Sequence, residues 1–250
     1  MATAQSTSSG SSTGTRSATV TQSSKAETNA MRHVNDAIAV VRRMESESGM
    51  GNLLQQAKGV FIVPNYGRAA LGIGGSGGAG MLLVKHGNRW SEPAFYNIGG
   101  INVGLQAGAE GGPIAFVLNN DKAINSFMQK NNFTLSADAG LTIIDWSKIA
   151  QGSAGAGDIV AWSGTKGLFG SAAIGVNDIR YNEDETSAYY GQRVAAADVI
   201  NGKVRNQHSD ALKQALATTA TSTGGAASGS SGGGKSGSAA GGGTSSGTSK

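Results

Sequence analysis

Apolar residues recur at helical spacing in one long stretch near the start of the chain. Met31, Val34, Ile38 and Val41, with Ala30 and Ala37 beside them, mark one face of a helix. Ser24 and Glu27 make a capping-box pattern ahead of it, and Gly49 and Gly51 end it. Lys25, Arg32 and Arg43 project on the opposite face, diluted by Asp36 and Glu47. A short helical turn over 52–57 follows.

The pattern then changes to short apolar runs between turns. Residues 59–63 read as a buried strand stopped by Pro64, with further strands over 69–75 and 80–85 and a polar turn at His86-Gly87-Asn88. Residues 94–110 form a long glycine-studded strand, breakable at Gly99-Gly100, and 113–119 another. A short helix over 121–129 points Ala123, Ile124 and Phe127 inward. Strands are predicted over 133–145, 158–163 and 167–180, and helices over 183–193 and 194–200. Ser209 caps a last helix with Leu212, Ala215 and Leu216 on one face.

Short turns between strands favour antiparallel pairing over crossover units. Gly100, Gly104 and Gly108 fall on one face of an unbroken strand. Glycine weakens a strand, so a tight bend or the close approach of another backbone is its usual reason. Gly72, Gly74 and Gly170 repeat the theme. A lipid chain against the glycine face is the alternative to simple packing. The expected fold is α+β: a strongly curved, mostly antiparallel, barrel-like glycine-rich sheet, with an N-terminal amphipathic helix and C-terminal helices.

Composition sets the boundaries. Residues 1–24 are rich in Ser, Thr and Gly, and residues 218–250 in Gly and Ser. Neither carries enough apolar surface to offset ordering entropy, so both are expected to be disordered tails around a folded unit at 25–217. The formal net charge is +4, but Arg16, Lys235 and Lys250 lie in the tails. Residues 25–217 hold 17 basic and 16 acidic side chains, which argues against a nucleic-acid partner. Without cysteine, disulfides, thiolate metal sites and thiol nucleophiles are excluded. No apolar run is long enough to span a bilayer. The N-terminus has neither the charged nor the apolar region of a secretory signal. A complete chain is therefore expected in the cytoplasm, peripheral to membrane, and one that has lost a leader in the envelope or periplasm.

With 40 glycines, glycine motifs arise by chance. Gly72, Gly74 and Gly77 fit a dinucleotide loop, and Gly74, Ser76 and Gly78 fit a hydrolase elbow. Both motifs must open a helix, whereas Met81-Leu82-Leu83-Val84 reads as a strand. Gly229, Gly234, Lys235 and Ser236 match a P-loop inside the tail, with no strand before them. His33, His86 and His208 are isolated, and Glu183-Asp184-Glu185 reads as a solvated helix start. No catalytic residue, cofactor or metal is expected. Lys85, Arg89 and Trp90 gather at one turn, with Lys58 and Arg68 as further cations. That combination suits a membrane interface or an ordinary turn beside a core tryptophan.

Six segments in order carry a resemblance. They are AKGVFIVP (57–64), GIGGSGGAGMLLVK (72–85), WSEPAFYNIGGINVGLQAGAE (90–110), FVLNNDKAINSF with NFTLSADAG (116–140), TKGLFGSAAIGV (165–176) and YYG (189–191). Together they resemble the SYLF-domain family over about residues 50–200. The resemblance implies binding to anionic or phosphoinositide-type lipid headgroups without enzymatic activity, and actin association in eukaryotic members. It also implies membrane contact through a helix preceding the domain. The matching helix here is 25–46, with Lys25, Arg32, Arg42 and Arg43 as headgroup contacts. The absence of an SH3 or FYVE module suggests a bacterial-type member. A protein-interaction domain of the actin- or filament-binding type is the other reading.

Overall fold

The computed structural model describes residues 13–129, 132–135, 140–152, 157–165 and 176–221. Of the expected tails 1–24 and 218–250, residues 1–12 and 222–250 lie outside the described residues, as do residues 136–139 and 166–175 of the fourth and fifth family segments.

Helix α1 spans Thr13–Glu45, so it begins well before the expected cap. Ser24 is an interior residue, and its carbonyl accepts a 2.8 Å hydrogen bond from the Thr28 hydroxyl. Ala30, Val34, Ala37, Val41 and Met44 are fully buried on one face. Their spacing is the apolar stripe that docks a helix on a core. Arg42 and Arg43 occupy the last turn, where positive charge complements the helix dipole. Helix α2 (Met50–Gln56) follows.

The three strands expected over 59–85 are one strand, β1 (Gly59–His86). Pro64 does not stop it. The register slips between Val63 and Tyr66, which leaves Pro64 out of the ladder where its missing N–H costs nothing. After the two-residue β2 (Arg89–Trp90), β3 (Ala94–Leu118) returns along β1 from Leu82↔Ala94 to Gly59↔Leu118. The ladder continues through Gly99 and Gly100 and slips instead between Val103 and Ala107, so Gly100, Gly104 and Gly108 do not share an unbroken alternation.

The ribbon curls until β1 meets itself. Lys85 N–H donates to Lys58 O at 2.7 Å. A Cβ on Gly78 would lie 2.8 Å from Asn65 O. Gly78 and Gly80 stand at this close backbone approach, and Val63 and Phe61 fill the space beside them.

Helix α3 (Asp121–Phe127) is capped by Asn120 and buries Ala123, Ile124 and Phe127, as its pattern requires. Then come β4 (Phe133–Leu135), β5 (Ile143–Asp145), α4 (Trp146–Ala150), β6 (Ile159–Ser163) and β7 (Val176–Tyr181). Helices α5 (Glu183–Tyr190) and α6 (Ala196–Ile200), a 3₁₀ turn (Gln207–Ser209) and α7 (Asp210–Thr221) complete the order.

The sheet runs β2-β1-β3-β6-β5, with β7 also on β3 and β4 on β7. Every pair is antiparallel except β5–β6, which α4 joins as a crossover. The strands β6 and β7 share one register on β3: Ile114 faces Ser163 and Ile98 faces Ile179.

Both faces of the curl are buried, which explains why its strands read as unbroken apolar runs rather than as alternation. On the convex face, Val60, Ile62, Met81, Leu83 and Val117 pack under α1, α2 and α7. On the concave face, Phe61, Val63, Leu82, Tyr96 and Phe116 enclose Phe127 of α3 and Val199 of α6. Ring centroids of Phe61 and Tyr96 lie 4.9 and 5.1 Å from that of Phe127.

Candidate binding surface on the first helix

The body fixes α1 by more than apolar packing. His33 Nδ1 lies 2.5 Å from Glu185 Oε1 of α5, and Asn182 Nδ2 donates to the other carboxylate oxygen at 2.8 Å. His208 Nε2 donates to Met31 O at 3.2 Å. One side of α1 is therefore committed to the domain, and its orientation is set.

The other side faces solvent. Lys25, Thr28, Arg32, Asn35, Ala39, Arg42, Arg43 and Ser46 are all exposed. Their spacing of three, four and seven residues makes them one ridge of the helix. It carries four cations; Asp36, half-buried and four residues after Arg32, borders it, and Glu27 and Glu45, also exposed, lie off to its side. Arg32 leans on Asn29 Oδ1 at 3.3 Å, and Arg43 donates to Gly164 O at 2.9 Å. Lys25 and Arg42 make no ion pair among the described residues.

The other sequence candidates are dispersed. Lys58 pairs with Asp121 at 2.6 Å on the surface. Lys85 sends its ammonium to Gln55 O at 2.7 Å, closing the C-terminal carbonyls of α2, and stands 5.8 Å from the Trp90 ring centroid. Trp90 is only 7% exposed and belongs to the convex core, beside rather than on a surface. Arg89 is exposed on the β1–β2 turn, and the Arg68 side chain lies outside the described residues.

The family-like segments meet one another. Tyr190 donates its hydroxyl to Pro93 O at 2.8 Å, which joins YYG to WSEP. Ser91 Oγ accepts from Val84 N–H and donates to Glu92 O, both at 2.9 Å. The Glu92 carboxylate, 5% exposed, accepts from Lys213 Nζ and Ser209 Oγ, each at 2.5 Å. Ser209 thus anchors α7 to WSEP instead of serving as the cap expected of it. At AKG, a Cβ on Gly59 would strike Ile124 Cδ1 at 2.5 Å. These motifs hold the fold together. Sequence reasoning missed Glu92, Glu185 and Lys213, each of which has a partner more than a hundred residues away.

Charge and burial act together at this seam. Burial pushes the Lys213 ammonium down, but hydrogen bonds to Asp210 and Glu92 outweigh it and hold it above the ordinary lysine value. Asp210 is held low, first by its hydrogen bond from Lys213. Among the described residues, no helix is long and apolar enough to cross a membrane, and no three acid, histidine or cysteine side chains cluster as a metal site. The glycine loop has no helix after it: Ser76 faces Gly100 inside the β1–β3 ladder.

Residues 99–219 match the family described as Ysc84, Las17-binding protein actin regulator. The protein Ysc84 of Saccharomyces cerevisiae is 24% identical over 159 residues, 61% of this chain and 34% of that protein. LAS seventeen-binding protein 3 of the same yeast is 27% identical over 160 residues, 62% of this chain and 35% of the relative. The SH3 domain-containing YSC84-like protein 1 of Bos taurus is 22% identical over 157 residues, 61% of this chain and 46% of its own length. The match thus spans between a third and a half of these relatives. No solved structure matches the chain. Residues 99–219, which begin just after WSEP and run past YYG, thus form a domain of the Ysc84 family, the SYLF-domain family that the motifs resemble.

Proposed function

We propose that this domain is a non-enzymatic binding module that docks on anionic phospholipid surfaces through the exposed ridge of α1. The ridge itself carries the reading. Lys25, Arg32, Arg42 and Arg43 are presented along one line, with Asp36 at its border, on a helix whose opposite face is locked to the body. Each basic group beside an anionic membrane contributes about 1 kcal/mol, so several acting together give salt-sensitive adhesion.

A protein partner is the second reading. It is favoured by the family description, which names Las17 binding and actin regulation, and by the name of the second yeast relative. A cationic ridge also suits an acidic protein surface.

Co-sedimentation separates the two. The chain is spun with phosphatidylglycerol/phosphatidylcholine vesicles and, separately, with filamentous actin, at low and high salt. Vesicle binding that weakens with salt and is lost in a Lys25→Glu, Arg32→Glu, Arg42→Glu variant supports the lipid reading. Failure to bind vesicles at low salt, with actin still captured, would replace it by the protein reading.

A further inference from the structure

Helix α1 ends at Glu45, and α2 starts at Met50. The link between them, residues 46–49, is exposed along its whole length. Its first residue, Ser46, closes the ridge. The Ser46 hydroxyl donates to Arg43 O at 2.7 Å, which holds it against the last turn of α1. Arg43 and Arg42 stand three and four residues before it, a spacing that brings side chains together on a helix. Arg42 makes no ion pair among the described residues, and Arg43 donates to Gly164 O. No other serine or threonine whose side chain is described has an arginine three residues before it. Thr28 follows Lys25 at that distance, but it lies inside α1, where its hydroxyl is bonded to Ser24 O at 2.8 Å.

Protein kinases choose substrates partly by charge pattern, and they act on exposed backbone outside regular structure. Ser46 meets both conditions, and Thr28 fails the second. We infer that Ser46 is a phosphorylation site for an arginine-directed serine kinase, and that the phosphoryl group switches the ridge off. In the transfer, Ser46 Oγ forms a bond to the γ-phosphorus of a nucleoside triphosphate. The bond from that phosphorus to its bridging oxygen breaks, the nucleoside diphosphate leaves, and the hydroxyl proton passes to a carboxylate of the kinase. Arg42 and Arg43 give this end of the ridge two positive charges, and Glu45 and Glu47, exposed on either side of Ser46, give two negative ones. A phosphoserine adds a charge of about −1.5 to −2 at neutral pH. The end of the ridge then turns from balanced to negative, and the phosphoryl oxygens compete with lipid phosphates for Arg42. Lys25 and Arg32 alone remain to attract an anionic surface. The inference rests on the lipid reading and gives it a means of regulation.

The test treats the full chain with Mg-ATP and a purified calmodulin-dependent kinase, with calcium and calmodulin. The product is then spun with phosphatidylglycerol/phosphatidylcholine vesicles. Mass spectrometry of its peptides is expected to place phosphate on Ser46. Vesicle binding of the modified chain is expected to be about thirtyfold weaker, the scale of two charges beside an anionic membrane. The difference narrows as salt rises, and phosphatase reverses it. The Ser46→Ala chain binds as the unaltered one does and keeps its binding after the same treatment. No phosphate on Ser46, equal binding before and after modification, or release of the treated Ser46→Ala chain overturns the inference while leaving the ridge intact. An untreated chain that binds no vesicle overturns the lipid reading and this inference with it.

Discussion

A Cβ on Gly80 would sit 2.8 Å from the carbonyl oxygen of Ile62, a residue of the same strand. The same Cβ would be 2.8 Å from Val63 Cγ2 and 2.9 Å from Phe61 Cε2. The curl of β1 brings its two ends into backbone contact there, and neither the carbonyl nor the packed ring can withdraw. Gly80→Ala is expected to destabilise the domain by about 2 kcal/mol through overpacking. Gly75→Ala is the control, because its nearest neighbour is Gly100 O at 4.0 Å. Urea denaturation of both variants measures the difference; equal midpoints would mean that the curl is loose at this point.

Gly80 also shows what could be read in advance. The expectation of a tight bend or a close backbone approach names Gly72 and Gly74 of the same glycine run and not Gly80 itself. The identity of the approaching backbone was hidden, because Ile62 lies far from Gly80 along the chain and only the curl unites them. The same limit divided β1. Pro64 is a strong local stop signal, and only the register slip beside it shows that the ladder resumes at Tyr66. The cations of α1 were legible from helical spacing. Trp90 was not placed by local pattern, since a tryptophan beside Lys85 and Arg89 looks alike on a surface and over a core. Its 7% exposure follows from packing on the convex face, among the residues of α1, α2 and α7.

Two ion pairs of similar length should differ widely in energy. Lys213 meets Glu92 at 2.5 Å with side-chain exposures of 19% and 6%. Lys58 meets Asp121 at 2.6 Å with exposures of 47% and 74%. Lys213→Ala leaves the Glu92 carboxylate buried without its cation, which is expected to cost about 3 kcal/mol. Lys58→Ala removes a solvated contact worth less than about 1 kcal/mol. Glu92 would remain bonded to Ser209, so Lys213→Ala, Ser209→Ala should cost more than either change alone. Chemical denaturation of the set tests the ranking, and near-equal losses for the two lysines would remove the seam's claim to hold α7.

Alkali should unfold the domain cooperatively. Burial, foremost, raises the phenol pKa of Tyr96, Tyr181, Tyr189 and Tyr190 above the ordinary value of 10.0, and the Glu92 carboxylate adds to the rise at Tyr189 and Tyr190. Lys213 is likewise held above its ordinary 10.5. A group whose folded pKa is raised keeps its proton longer in the native state than in the unfolded chain. Its contribution to stability is therefore complete below the unfolded value and declines as pH rises through the folded one. Stability from these groups should hold up to pH 10 and fall steeply beyond it. The four phenols should then ionise together with loss of the near-ultraviolet circular dichroism, because each gains its charge by leaving the core. Gradual tyrosinate absorbance near pH 10 with tertiary structure intact would show that these rings are open to solvent.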